Sequence, residues 1–394
     1  MSESVYLEDL GLVCSLGAGK RAVWDAVSSA SARGIRRAPV SGREFFLGTV
    51  PRDLYTLDLA SPFNNRTNAI LRLALDEIAQ SAARAIAKYG SDRVGVLVGS
   101  CDNGSELSFE ALSQYRETGA FPEGYSLECQ RADLPARFAA EYLGAKGPVL
   151  ACSTACASSA SALVGARNLL RSGACDAVIA GGVDIVSAAV ALGFSALEAV
   201  SDEPCRPFSK DRKGITLGEG AAVFLVTKER LSPSAPRFLG AGESADAHHM
   251  TAPDPEGCGA ALAMERALRD AGISALDIDY VNLHGTGTPL NDAMESRAVA
   301  HVFPQGVPAS STKSMTGHTL GAAGALELGI CWLALSQGFN AGRKIPPQIW
   351  AGSPDPELPS LDIATVGKTA PRLGACMSNS CAFGGCNVSL IVGI

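Results

Sequence analysis

Among the 12 cysteines of this chain, Cys156 is set apart by its surroundings, Ala151-Cys-Ser-Thr-Ala-Cys156-Ala-Ser-Ser-Ala-Ser-Ala. Val149 and Leu150 lead in as a strand and Ala160 to Leu170 reads as a helix, which predicts a thiol on a strand-to-helix turn. A helix start favours the thiolate, and small neighbours let a substrate approach. The competing reading is a cysteine buried in a small-residue packing seam, since free Cys is among the most buried residue types. Two histidines shift that balance. Tyr280-Val-Asn-Leu-His284-Gly-Thr-Gly-Thr-Pro puts His284 at a strand end, ahead of a helix that Asn291 or Asp292 can cap and whose first turn Glu295 supports. Ser311-Thr-Lys313-Ser-Met-Thr-Gly-His318 places His318 just before a helix whose Gly321, Ala322, Ala323 and Gly324 permit close packing. Taken singly, each histidine is an ordinary core or loop residue. Taken with a helix-start cysteine, the two are the parts of a thiol acyl-transfer site.

A fourth element is the Gly-rich Ser378-Asn-Ser-Cys-Ala-Phe383-Gly-Gly-Cys-Asn, just before the last apolar run. It lacks a Gly-Lys-Ser/Thr pattern and does not open a helix after a strand, so a backbone oxyanion donor or a gate fits better than a phosphate cradle.

These groups need a scaffold. Runs such as Val94 to Val98, Ala177 to Ala180, Ala222 to Val226, Tyr280 to Leu283 and Val388 to Val392 read as strands covered on both faces. They alternate with helical stretches, including Asn68 to Ala87 and Gly259 to Asp270, and the alternation predicts an α/β protein. The breaker cluster Leu231-Ser-Pro-Ser-Ala-Pro-Arg sets a boundary near residue 240, giving an N-terminal part (1–240) with the cysteine and a C-terminal part (241–394) with the histidines. Apolar residues at 47% against 19% charged exclude a disordered chain. A net charge of −7 argues against nucleic-acid partners or a surface made for anionic lipid. The start MSESVYLEDL has acids where an export signal has bases, and the apolar stretch from Ile185 to Leu197 is too short to span a bilayer, so a cytoplasmic protein without membrane insertion is expected. Cysteines scattered from Cys14 to Cys386 then suit reduced thiols, and their spacing offers no metal site.

Several segments, taken in order, resemble the elongating β-ketoacyl-acyl-carrier-protein synthases of the thiolase superfamily. They are Thr154-Ala-Cys156, Ala180-Gly-Gly-Val-Asp184, Arg206-Pro-Phe, Gly218-Glu-Gly-Ala, His284-Gly-Thr-Gly-Thr-Pro, Lys313-Ser-Met-Thr-Gly-His318 and Phe383-Gly-Gly. The resemblance implies a thiolase-like fold, two related αβαβα halves stacked as five layers. It implies Cys156 as the nucleophile, His284 and His318 as enolate stabilisers, and the backbone N–H groups of Cys156 and Phe383 as oxyanion donors, with Phe383 also the gate. Lys313 and a buried acid, Glu327, would support the histidines. Thr286 and Thr288 would hold the pantetheine arm, and Phe194 and Gly384 would border the substrate. No cofactor is implied, because the substrates ride on the phosphopantetheine arm of an acyl carrier protein. That carrier is one expected partner, and a homodimer or a heterodimer with a related ketosynthase-like chain is the other.

The chain departs from the family pattern in three places. Cys381-Ala382 replaces Phe-Gly before the gate, Ser209 and Lys213 replace two acids and make that stretch more basic, and Ser100-Cys-Asp-Asn-Gly-Ser-Glu106 is more polar than usual.

Overall fold

One arrangement of five strands occurs twice. In the computed structural model, which describes residues 4–102, 104–123, 125–349 and 354–394, the first set is β1 (Tyr6–Cys14), β2 (Val94–Gly99), β3 (Val149–Cys152), β4 (Ala177–Asp184) and β5 (Gly220–Thr227). These lie side by side in the order β3-β2-β4-β5-β1. The second set is β6 (Arg237–Ala245), β7 (Tyr280–Asn282), β8 (Pro308–Ser310), β9 (Ala375–Cys381) and β10 (Cys386–Gly393), in the order β8-β7-β9-β10-β6. Strand directions repeat as well. In each set the fifth strand runs antiparallel to its two neighbours and the remaining pairs are parallel. A single β1–β6 register contact, Tyr6 with Arg237, joins the sets edge to edge, and Asp362–Ile363 extends the far edge beyond β8.

Parallel neighbours require crossover connections, and the helices that supply them cover the sheets. The alternation of side chains along β4 shows how: Ala177, Ile179 and Val183 pack with α1 (Arg66–Tyr89) and α3 (Leu134–Leu143), whereas Val178 and Ala180 face α4 (Ser158–Arg171) and α8 (Ala323–Leu335). On the other sheet, Val281, Ala309 and Met377 pack with α6 (Cys258–Ala271) and α7 (Pro289–Val302). The layers are therefore helices, sheet, the α4/α8 pair, sheet, helices, as the thiolase-like expectation requires. Helix α8 is buried along its whole length. It approaches α4 closely because Gly324 has no side chain, and a Cβ there would meet Ala160 Cβ at 2.7 Å. Helices α2 (Ser105–Thr118) and α5 (Ala188–Ala196) lie outside these layers and pack on each other. A separate antiparallel hairpin, Arg36–Val40 with Arg43–Gly48, packs Phe45 and Leu47 into the cluster containing Ala191 of α5. Among the described residues no helix is long and apolar enough to cross a membrane.

Four strands, β1, β6, β8 and β9, escape the apolar-run criterion, β9 because Ser378 to Cys381 of the Gly-rich segment are its polar end, and β1 and β6 for the following local reasons. In β1, Glu8 and Asp9 interrupt the apolar pattern at a bulge. Glu8 accepts the Leu231 and Ser232 N–H groups, and Asp9 is held by Lys20 and Ser81. In β6, Gly240 and Gly242 dilute the pattern because α6 lies against them, and a Cβ on Gly242 would meet the Ala263 carbonyl at 2.0 Å. Residue 240 falls inside β6, so the second set of strands begins at Arg237, directly after the breaker cluster.

Candidate active site

Both halves send loops to one cleft. Beyond β3 the chain turns through Ala155, whose φ of 48° is rare for a residue with a Cβ. Ser158 ties the turn together, accepting the Thr154 N–H at 2.9 Å and donating to the Ala155 carbonyl at 2.6 Å. From the other half, His284 follows β7, and its N–H and that of Gly285 both donate to Glu295 at 2.7 Å. His318 follows a short helical turn after β8, and its own N–H donates to the Thr216 carbonyl at 2.7 Å. The three side chains converge. Cys156 Sγ is 3.2 Å from His318 Nε2, the imidazoles meet edge-on with centroids 5.2 Å apart, and one ligand-type atom of each residue lies within 4.8 Å of the others.

All three are buried, and burial decides their protonation. The Cys156 thiol is pushed up to about 12 by desolvation, only partly offset by the Lys313 charge and the Phe383 N–H directed at it. The helix-start thiolate expected from the sequence is therefore corrected to a neutral resting thiol that needs a base, and His318 Nε2 is in position to be one. Both histidines are held well below the usual 6.5, first by burial and then by the Lys313 ammonium, so both are neutral. Lys313 Nζ donates to the His284 carbonyl at 2.5 Å and lies 3.5 Å from His284 Nδ1. A cation beside Nδ1 favours the tautomer with its proton on Nε2, directed into the cleft. Glu327 forms a buried ion pair with Lys313, and burial raises its carboxyl to about 7. Cys156, His284 and His318 are also the one grouping of three metal-type ligands among the described residues, but the adjacent ammonium repels a cation.

Phe194, Thr286, Thr288, Phe383 and Gly384 line the same cleft of about 220 Å³. The Phe383 ring lies 5.8 Å from that of Phe194, and the Gly384 N–H donates to the Met250 carbonyl at 2.7 Å. Thr288, rather than Asn291 or Asp292, caps α7. Asp292 instead accepts the N–H groups of Phe208 and Gly287, tying the Arg206-Pro-Phe segment to the loop after His284. Three of the four bases in the segment that follows are paired by acids outside it: Arg206 and Lys213 with Glu203 at 2.6 and 2.7 Å, and Arg212 with Asp355 at 2.5 Å.

Sequence reasoning placed Asp184 in a family-like segment but gave it no role. Its carboxylate accepts from Ser100 Oγ (2.7 Å), Cys101 N–H (3.1 Å), Asp102 N–H (3.0 Å) and Gly321 N–H (2.5 Å), and burial raises it to about 6. It thereby joins the polar loop after β2 to the turn beyond His318. Asn103 of that loop lies outside the described residues. An acid closing a fully buried apolar run was the available signal.

With the fold and this site in place, the relatives agree. The chain matches the β-ketoacyl synthase N-terminal domain over residues 61–231 and the C-terminal domain over residues 237–349. It is 37% identical over 339 residues to a 3-oxoacyl-[acyl-carrier-protein] synthase 2 of Staphylococcus aureus, covering 81% of each chain. It is 33% identical over 414 aligned positions to that of Coxiella burnetii, covering 98% of each. A ketosynthase in complex with its chain length factor, from Xenorhabdus doucetiae, superposes with a TM-score of 0.92 at 39% identity, covering 100% of this chain and 98% of that one. The ishigamide ketosynthase/chain length factor gives 0.88 at 29%, covering 100% and 99%. The chain belongs to the β-ketoacyl synthase family. It is a β-ketoacyl-acyl-carrier-protein synthase, an acyltransferase-type condensing enzyme of fatty-acid or polyketide elongation.

Proposed function

We propose that Cys156 carries the growing acyl chain and that His284 and His318 serve the decarboxylative condensation. Cys156 Sγ attacks the carbonyl of a carrier-bound acyl thioester, its proton passing through His318 Nε2 to the departing pantetheine sulfur. A malonyl thioester then takes the cleft. Its bond to the carboxylate breaks, CO₂ leaves, and the electron pair becomes an enolate whose oxygen accepts from the His284 Nε2–H, with the His318 imidazole alongside. The enolate carbon attacks the acyl-Cys156 carbonyl, and the oxyanion so formed is met by the N–H groups of Phe383 and Cys156. Collapse expels the Cys156 thiolate and leaves a β-ketoacyl chain on the malonyl carrier. Lys313 and Glu327 position His284, Thr286 and Thr288 hold the pantetheine arm, and Phe383 gates the cleft against Phe194.

The observation that carries this reading is the meeting of Cys156 and His318 at 3.2 Å with His284 alongside. Incubation with an acyl-carrier substrate is expected to add one acyl group, at Cys156, by intact-protein and peptide mass spectrometry. Acylation that persists in Cys156→Ala would overturn it.

For partners, the reading takes an acyl carrier protein and a second ketosynthase-like chain, supported by the ketosynthase/chain length factor complexes among similar structures. Helix α2 offers an apolar face for that second chain, with Phe109, Leu112 and Tyr115 exposed at a spacing of three residues and Tyr115 stacked on Phe121. The solution mass of the chain alone and co-expressed with a chain length factor separates homodimer from heterodimer.

A further inference from the structure

A second, smaller cavity, of about 20 Å³, lies between the loop after β2 and the start of α1, with room for one water-sized species. Two oxygens of residues on its wall, Asp102 Oδ2 and Asn68 Oδ1, have no hydrogen-bond partner among the described residues. Both side chains are buried, Asp102 at 4% exposure and Asn68 at 0%. Their other polar atoms are committed, since Asp102 Oδ1 accepts from Ser105 Oγ and Asn68 Nδ2 donates to the Phe63 carbonyl at 3.1 Å. Ser100 lines the same cavity, and because its hydroxyl donates to Asp184 at 2.7 Å, its oxygen keeps acceptor capacity. The cavity therefore suits a species that is positive or that donates hydrogen.

Charge decides between the two. Arg66 is shared by Glu106 and Glu219 at 2.8 and 2.5 Å, and Arg131, also on the wall, is taken by Asp133 at 2.8 Å. Asp102 and Asp184 form no ion pair among the described residues, although the Asp102 N–H links them at 3.0 Å. Four carboxylates, Glu106, Glu219, Asp102 and Asp184, thus share one guanidinium. The starts of α1 and α2 add about half a positive charge each, which does not close that gap. Desolvation holds the carboxyls of Asp102, Asp184 and Glu219 above their usual range, the direction that an added cation reverses. A water molecule would satisfy the oxygens and leave the charge. One uncommitted carboxylate oxygen beside neutral amide and hydroxyl oxygens makes a hard donor set of a single negative charge, which suits a monovalent alkali ion better than a divalent or a thiophilic one.

We propose that Asp102, Asn68 and Ser100 hold a sodium or potassium ion. Through Asp184, which accepts both the Asp102 N–H and the Gly321 N–H, the ion would tie the start of α1 to the turn beyond His318. The proposal stands apart from the condensing-enzyme reading. The test follows thermal unfolding of the full chain in sodium, potassium and tetramethylammonium chloride at equal ionic strength, for the parent and for Asp102→Asn, which keeps the shape and removes the charge. The parent is expected to melt about 2 °C higher in one of the alkali salts than in tetramethylammonium, and the variant is expected to lose that difference. Crystals of the parent soaked in thallous acetate, whose cation replaces potassium and scatters anomalously, are expected to show a peak between Asp102 and Asn68, a result that holds even where the variant does not fold. Equal melting of the parent in all three salts overturns the proposal, as does an alkali dependence that Asp102→Asn retains. Thallous soaks that leave only the density of a water at this position overturn it too.

Discussion

The two halves share strand order and strand direction yet deliver different chemistry from matching positions. After its third strand the N-terminal half presents Cys156 and the C-terminal half presents His318. After the second strand the C-terminal half presents His284, whereas the N-terminal half presents Ser100 to Asp102, which are spent on Asp184. One topology thus brings four loops together, three with the proposed reacting groups and one that braces the others. The proposed nucleophile belongs to one half and both imidazoles to the other, so their meeting exists only where the halves pack.

That division of labour makes the sharpest test. His284→Ala removes a C-terminal group while leaving Cys156 and His318 in contact, so acyl-Cys156 should still form. Malonyl decarboxylation should fall by roughly 10²–10³, the usual loss for one oxyanion-type donor. Equal loss of both half-reactions, measured by acyl-enzyme mass and CO₂ release, would erase the distinction between the halves.

A smaller effect is expected one step back from the reacting atoms. Glu327→Gln leaves the Lys313 ammonium buried without its counter-charge, and breaking a buried pair typically costs about 3–5 kcal/mol of stability. Thermal unfolding should shift down accordingly. Decarboxylation should drop by less than in His284→Ala, because Lys313 still donates to the His284 carbonyl. A larger loss than His284→Ala would promote the ion pair from support to participant.

The mildest change should come from the bracing loop. Asp184 has its carboxyl raised to about 6 by burial, so its contribution to stability is fully present below the unfolded value near 3.8 and is lost as pH rises through 6. Asp184→Asn cannot ionise. The melting temperature of the parent relative to this variant should therefore decline between pH 4 and pH 7, while acylation of Cys156 continues in both. A difference that does not vary with pH would show that Asp184 acts through its hydrogen bonds alone.

The three side chains that meet in the cleft were legible because rare residues in loops of small ones stand out, and Cys156, His284 and His318 each occupy such a loop. The buried strands were legible from unbroken apolar runs. What escaped depends on partners far away in sequence. The pairing of Arg212 involves Asp355, the polar β1 is explained by Leu231 and Ser232, and the Cys156 pKa follows from how completely the two halves bury it. Thr288 displaced the expected caps because Asp292 was already committed to Phe208 and Gly287.

The contact of Gly324 with Ala160 has a further consequence. Helix α4 starts two residues after Cys156 and α8 starts five residues after His318, so the gap between these helices acts as a ruler for the distance a proton must jump. A single methyl group at position 324 is a wedge driven into that ruler. It would touch neither sulfur nor imidazole, yet the shift it forces between α4 and α8 would reach the turns that carry the proposed nucleophile and its proposed base.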